Sequence, residues 1–98
     1  LTGAVPSKLY EGMAAGKPII LIAETEAAEI VREADSGIVI KPGDIESLTS
    51  AVSYLASEPD ERIRLGNNGR RIVKEKFDQG KIAYDFGQFL IKAFYEKK

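Results

Sequence analysis

The 98-residue sequence contains no cysteine, no histidine and no tryptophan. Without thiols or imidazoles the usual zinc ligand sets are excluded, and so is every catalytic triad or dyad that relies on imidazole. Chemistry is left to carboxylates, lysines, hydroxyls and backbone amides. An excess of one charge is also missing: 14 basic residues face 15 acidic ones, for a formal charge of -1. No global basic field invites nucleic acid and no nucleic-acid motif occurs, so no nucleic-acid partner is expected. No apolar run approaches the roughly 18 residues of a membrane-spanning helix. The opening residues read neither as a signal peptide nor as a Met start, which reads as a chain that begins in mid-protein. The lack of cysteine fits a reducing compartment, so a cytoplasmic location is expected. What remains, 44% hydrophobic and 30% charged residues, suits one domain or part of one, with a modest core.

Two short apolar runs stand out. Pro18 to Ala23 (PIILIA) is too short for a helix and rich in Ile, as in a strand covered on both faces of a parallel sheet. Ile38-Val39-Ile40 is the second. Between them Ala27, Ile30, Val31 and Ala34 recur at helical spacing, with Ser36-Gly37 as the expected stop. Strand, helix, strand is a βαβ unit. Before it, Ser7 reads as the N-cap and Gly16 as the end of a short helix that buries Leu9 and Met13. After it, Asp44 is placed to cap a helix with the stripe Ile45, Leu48, Ala51, Val52 and Leu55. A further helix is expected from Asp60 to Phe77, with Ile63, Val73 and Phe77 inward and a break at Asn67-Asn68-Gly69. Asp78 can cap a last helix whose main face is Ile82, Phe86, Phe89, Leu90 and Phe94, with Tyr84, Ile91 and Tyr95 on a separate line. The predicted class is α/β, a short parallel sheet with flanking helices that would rest on further strands.

Charge shifts along the chain. Residues 24–46 hold seven acids and two bases, while residues 70–98 hold eight bases and four acids. Solvated helix faces are the plain reading, and a basic region leaning toward an anionic membrane surface is the other.

The segment Gly3-Ala4-Val5-Pro6-Ser7-Lys8-Leu9-Tyr10-Glu11 reads as a small-residue loop entering a helix N-terminus. Free N–H groups, the helix dipole and the Lys8 ammonium form a seat suited to a phosphate or diphosphate, unless Ser7 merely caps and Lys8 is merely solvated. Glu11, further along the helix, would repel a phosphate in direct contact. Its two acceptor oxygens suit a sugar cis-diol, and a nucleotide supplies both groups. Taken alone, Glu11 also reads as an ordinary exposed helical glutamate.

The strings VPSKLYEGMAAGKPII, ETEAAEIV, DSGIVIKPGD and IESLTSAVSYL, in this order, resemble the C-terminal domain of family 4 (group 1) glycosyltransferases, above all those of bacterial surface-polysaccharide synthesis. The resemblance spans nearly the whole chain. It implies that residues 1–98 are part of the Rossmann-like donor domain of a GT-B enzyme, one that moves a sugar from a nucleotide-diphosphate donor, UDP-linked by expectation, to the hydroxyl of a sugar or lipid-linked acceptor. It implies donor contacts at Val5, Pro6, Ser7, Lys8 and Glu11, the last matching the family's second glutamate, which holds the donor ribose. The first glutamate falls roughly eight positions earlier, and this sequence has Gly3 there, a departure that bears on the donor sugar and on the retaining outcome. The resemblance further implies an N-terminal acceptor domain as partner, no metal or other cofactor, a peripheral position at the inner membrane face, and no catalytic residue within these positions. Nucleotide-sugar 2-epimerases share the fold and a similar diol-binding glutamate, and a non-catalytic α/β interaction module is the third reading.

Overall fold

The structure, a computed structural model, describes residues 4–78, with side chains from Lys8 onward. The expected last helix, its line of Tyr84, Ile91 and Tyr95, and Gly3 lie outside the described residues. The elements are α1 (Ala4–Ala14), β1 (Ile19–Ile22), α2 (Glu26–Ala34), β2 (Gly37–Ile40), α3 (Ile45–Ser57) and α4 (Pro59–Asp78). The strands pair in parallel, Ile19 with Gly37 through Ile22 with Ile40, and α2 is the crossover between them. The expected βαβ unit is therefore present.

The described part of helix α1 begins at Ala4, so Ser7 is inside the helix and is not its N-cap. Pro6 permits the earlier start, because a proline in the first turn gives up an N–H that has no intrahelical partner anyway. The end is where Gly16 predicts it. Gly16 has φ of 72°, its N–H donates to Met13 O, and the Lys17 N–H donates to Gly12 O. This pair of bonds is a Schellman closure, which turns the chain into β1.

Helix α2 ends one position before the expected stop. Asp35 takes the left-handed conformation at φ 50°, and the Ser36 N–H donates to Val31 O. Gly37 instead opens β2, where a Cβ would stand 1.9 Å from Ile19 O. Its small size serves the strand pair.

One face of the sheet carries the main core. Leu9, Tyr10 and Met13 of α1, Ala27, Val31 and Ala34 of α2 and Val73 of α4 cluster there, with Ile19, Leu21 and Val39 packed against them. Against the opposite face α3 offers Ala51 and Leu55 as buried residues, while Leu48 is half-buried and Ile45 and Val52 are exposed. The predicted stripe of α3 is thus only partly used. Beside it an open groove of about 700 Å³ runs between β2 and the Asp44, Ser47 and Tyr54 side of the helix.

Helix α4 is continuous through Asn67-Asn68-Gly69, without the expected break, and Asp78 is the last of its described residues. Its buried line is Leu65, Gly66, Gly69 and Val73, whereas Ile63 and Phe77 are exposed. Gly66 brings α4 against the Gly16 carbonyl and Gly69 brings it against Ser36 and Met13. Asn68 Nδ2 donates to Asp35 O, and Arg64 pairs with both Asp35 and Glu61, so α4 also grips the end of α2.

Asp44 caps α3 as the sequence predicts. Its Oδ1 accepts from the Ser47 N–H at 3.1 Å and its Oδ2 from the Ser47 hydroxyl at 2.7 Å. The Ser47 hydroxyl bond, then its backbone bond, hold the Asp44 carboxyl below its ordinary pKa. A depressed folded-state pKa gives stability that is present above the unfolded pKa and lost as pH falls through the folded one. Asn also caps but carries no charge. Wild type should therefore exceed Asp44→Asn in urea midpoint at about pH 6 and lose that advantage as pH falls below the ordinary carboxylate range. A gap of constant size across that range would mean that the cap does not depend on charge.

Candidate nucleotide site

In a parallel βαβ arrangement the helix that follows each strand starts at the strand's carboxyl end. Helices α2 and α3 therefore begin at the carboxyl ends of β1 and β2. Helix α1 ends in the tight turn into the start of β1 and packs on the same core, so it runs back along the sheet and its N-terminus joins the same edge. Ligands of open α/β sheets sit at this edge, where helix N-termini present free N–H groups.

The earlier start of α1 rearranges the proposed donor contacts. Val5 and Pro6 belong to the first described turn, and of the two only Val5 has an N–H. Ser7 and Lys8 lie beyond it, also helical and not in a loop. Glu11 is the eighth residue of the helix, about 10 Å along the axis from Ala4. Lys8 and Glu11 are both exposed, on the side of α1 opposite the buried Leu9, Tyr10 and Met13. Among the described residues neither side chain has a hydrogen bond or an ion pair. Helical side chains lean toward the N-terminus. Lys8 thus covers the first turn, and Glu11 covers the turn that holds Ser7 and Lys8. From the helix end outward, the order is N–H groups, a cation, then an acceptor pair. Phosphate followed by ribose diol fits this order.

Glu24, Glu26 and Glu29 read in the sequence as a solvated helix start and not as a metal site. Glu24, Thr25, Glu26, Glu29 and Arg32 line an open hollow of about 300 Å³. Thr25 stands at the N-cap position without a side-chain capping bond. The carboxylates around that helix end disfavour an anion there, so of the two neighbouring N-termini α1 is the one suited to phosphate.

A parallel βαβ core with helix N-termini gathered at the strands' carboxyl edge defines a Rossmann-like α/β domain. The family model described as "Glycosyl transferases group 1" matches residues 2–72, and the chain belongs to that family, whose domain has the GT-B fold. Among curated proteins it is 34% identical over 88 residues to the MMP alpha-(1->4)-mannosyltransferase of Mycolicibacterium hassiacum, covering 81% of this chain and 21% of that protein. It is 28% identical over 67 residues to the capsular polysaccharide biosynthesis glycosyltransferase CapM of Staphylococcus aureus, covering 68% of this chain and 18% of that one. It is 34% identical over 63 residues to the putative glycosyltransferase EpsD of Bacillus subtilis, covering 64% of this chain and 16% of that one. The chain thus spans about a fifth of the length of these relatives or less. No solved structure matches it significantly.

Proposed function

We propose that the protein carrying this chain is a glycosyltransferase that moves a sugar from a nucleotide-diphosphate donor, UDP-linked, to an acceptor hydroxyl in polysaccharide or glycoconjugate synthesis. Residues 1–98 form part of its donor-binding domain. The observation that carries the reading is the exposed Glu11, without a partner among the described residues, on α1, the helix whose N-terminus lies at the strands' carboxyl edge, in a chain of this family. The diphosphate would lie at the start of α1, against the Val5 N–H and under Lys8, and the ribose diol at Glu11. A carboxylate rewards a diol with two charge-assisted hydrogen bonds, and the helix end neutralises the departing diphosphate. The polysaccharide context comes from the name of CapM. The acceptor would bind on an N-terminal domain facing this one, in the cytoplasm.

The test is incubation of the intact protein with UDP-sugars, with and without a saccharide acceptor. Transfer that needs the acceptor supports the reading. Conversion of the UDP-sugar without an acceptor would place the protein among epimerases instead. The 98-residue chain by itself should turn over no nucleotide sugar, because positioning donor and acceptor in one cleft accounts for roughly 7 to 11 kcal/mol of barrier.

A further inference from the structure

Among the described residues β2 pairs with β1 alone. The Ile19 N–H donates to Ser36 O and the Ala23 N–H to Ile40 O, and in a parallel ladder the residues that face the neighbouring strand alternate. Ser36, Ile38 and Ile40 therefore turn backbone groups to β1, while Gly37, Val39 and Lys41 turn theirs to the outer edge. Neither the N–H nor the carbonyl of Val39 has a partner among the described residues. Helices α1 and α2 pack on the same face of the sheet. Right-handed crossovers on one face add strands in one direction, so a strand that precedes α1 lies on the β1 side and leaves this edge open. After β2 come α3 and α4, with no further strand through residue 78. Sheets blunt open edges with charge, proline or a bulge, yet β2 is Gly37-Ile38-Val39-Ile40 in regular register. Across the groove of about 700 Å³, Ser47, Ser50 and Tyr54 of α3 line its other wall at spacings of three and four. Glu46 is the sole charged residue among the 13 of α3, whereas ten of the 20 in α4 are charged. Depletion of charge marks the centre of an interface.

We infer that β2 pairs edge to edge with the β2 of a second copy of this protein, antiparallel about a two-fold axis at Val39, so that one sheet runs through the dimer. The strand is complementary to itself in that register. Val39 bonds Val39, Ile38 stands opposite Ile40, and Gly37 stands opposite Lys41 and leaves room for its stem. Opposite residues share a face, so each half-buried Ile38 gains an isoleucine neighbour on the α3 side. The axis sends Asp44 and Glu46 of the two copies to opposite ends of the seam. It also carries each Lys41, which has no ion pair among the described residues, toward the end where the other copy holds Asp35. The two α3 flanks then face each other over the seam, where Ser47 and Ser50 are small enough for close approach. An isologous contact of this kind closes at two copies. The inference stands apart from sugar transfer, since Lys8 and Glu11 are on α1 and not at this edge.

The experiment is sedimentation velocity of the intact protein over a concentration series, in which wild type should form a dimer. Ser50→Arg puts a guanidinium on each side of the seam, and facing like charges should raise the dimer dissociation constant at least about tenfold. Ser50 is exposed and arginine is a good helix former, so the variant should melt as wild type does at a concentration where both are monomeric. Hydrogen exchange supplies a readout that needs no variant. The Val39 amide should be protected in the dimer and lose most of that protection on dilution to monomer. A wild type that stays monomeric would overturn the inference, and so would a dimer that Ser50→Arg leaves intact. A dimer with a freely exchanging Val39 amide would overturn it as well. So would a Val39 amide protected in the monomer, which would mean that another segment of the same protein covers the edge.

Discussion

Gly66→Ala should destabilise the protein by at least about 2 kcal/mol, at the upper end of what overpacking costs. In an exposed helix interior the same change would be favourable by about 1 kcal/mol, because alanine is the better helix former. Here the new Cβ would stand 2.0 Å from the Gly16 carbonyl oxygen and 2.8 Å from its carbon. Those are backbone atoms. They belong to the left-handed closure of α1 and cannot rotate away as a side-chain tip would. Relief requires α4 to back off, which loosens Val73 from the core cluster and Asn68 from Asp35. Gly69→Ala is the control on the same face. Its Cβ would meet Ser36 Cβ at 3.1 Å and Met13 Cβ and Cγ at 3.3 and 3.4 Å, a tight but side-chain environment in which methionine can adjust. Its net change should stay within about 1 kcal/mol, the helix-propensity gain offsetting the crowding. Urea unfolding of both variants checks the pair. Equal midpoints would mean that the Gly16 contact does not set the approach of α4.

The same helix shows which parts of the fold were legible in the sequence. Signals complete within a few residues were read correctly: the Asp44 cap, the Gly16 closure and the two apolar runs that became β1 and β2. Each depends on local chemistry. The break expected at Asn67-Asn68-Gly69 relied on local propensity as well, yet packing outweighed it. Glycine costs a helix about 1 kcal/mol in isolation, and close contact with α1 recovers it. Of Ile63, Val73 and Phe77, chosen as the inward face, only Val73 is buried, and Ile63 and Phe77 lie on the flank of the buried line. That line runs through Leu65, Gly66, Gly69 and Val73, and the glycines disguised it. Ser7 misled for a related reason: a serine after proline is a strong local cap, but proline is equally at home inside a first turn. At the candidate site the residue types were legible, while their depth along α1 depended on that start.

Glu11→Ala in the intact protein should weaken nucleotide binding at least tenfold and leave stability within about 0.5 kcal/mol. The small stability effect follows from the structure. Glu11 is exposed, is the eighth residue of α1, and so lies beyond the first turn where the dipole rewards an acid. It also has no side-chain partner to lose among the described residues. Binding is different. An ionised acceptor for two ribose hydroxyls supplies charge-assisted hydrogen bonds worth roughly 1.5 to 3 kcal/mol each, and its removal leaves the diol unpaired in a closed cleft. Glu11→Gln keeps the shape but offers one neutral acceptor oxygen, so an intermediate loss is expected. The discriminating measurement is calorimetric titration of wild type and both variants with UDP and with a 2′,3′-dideoxy UDP analogue. Wild type should prefer UDP, and both variants should lose most of that preference while their melting curves stay unchanged. If the preference survives in Glu11→Ala, the diol is held elsewhere and Glu11 is an ordinary surface glutamate, whatever the absolute affinity does.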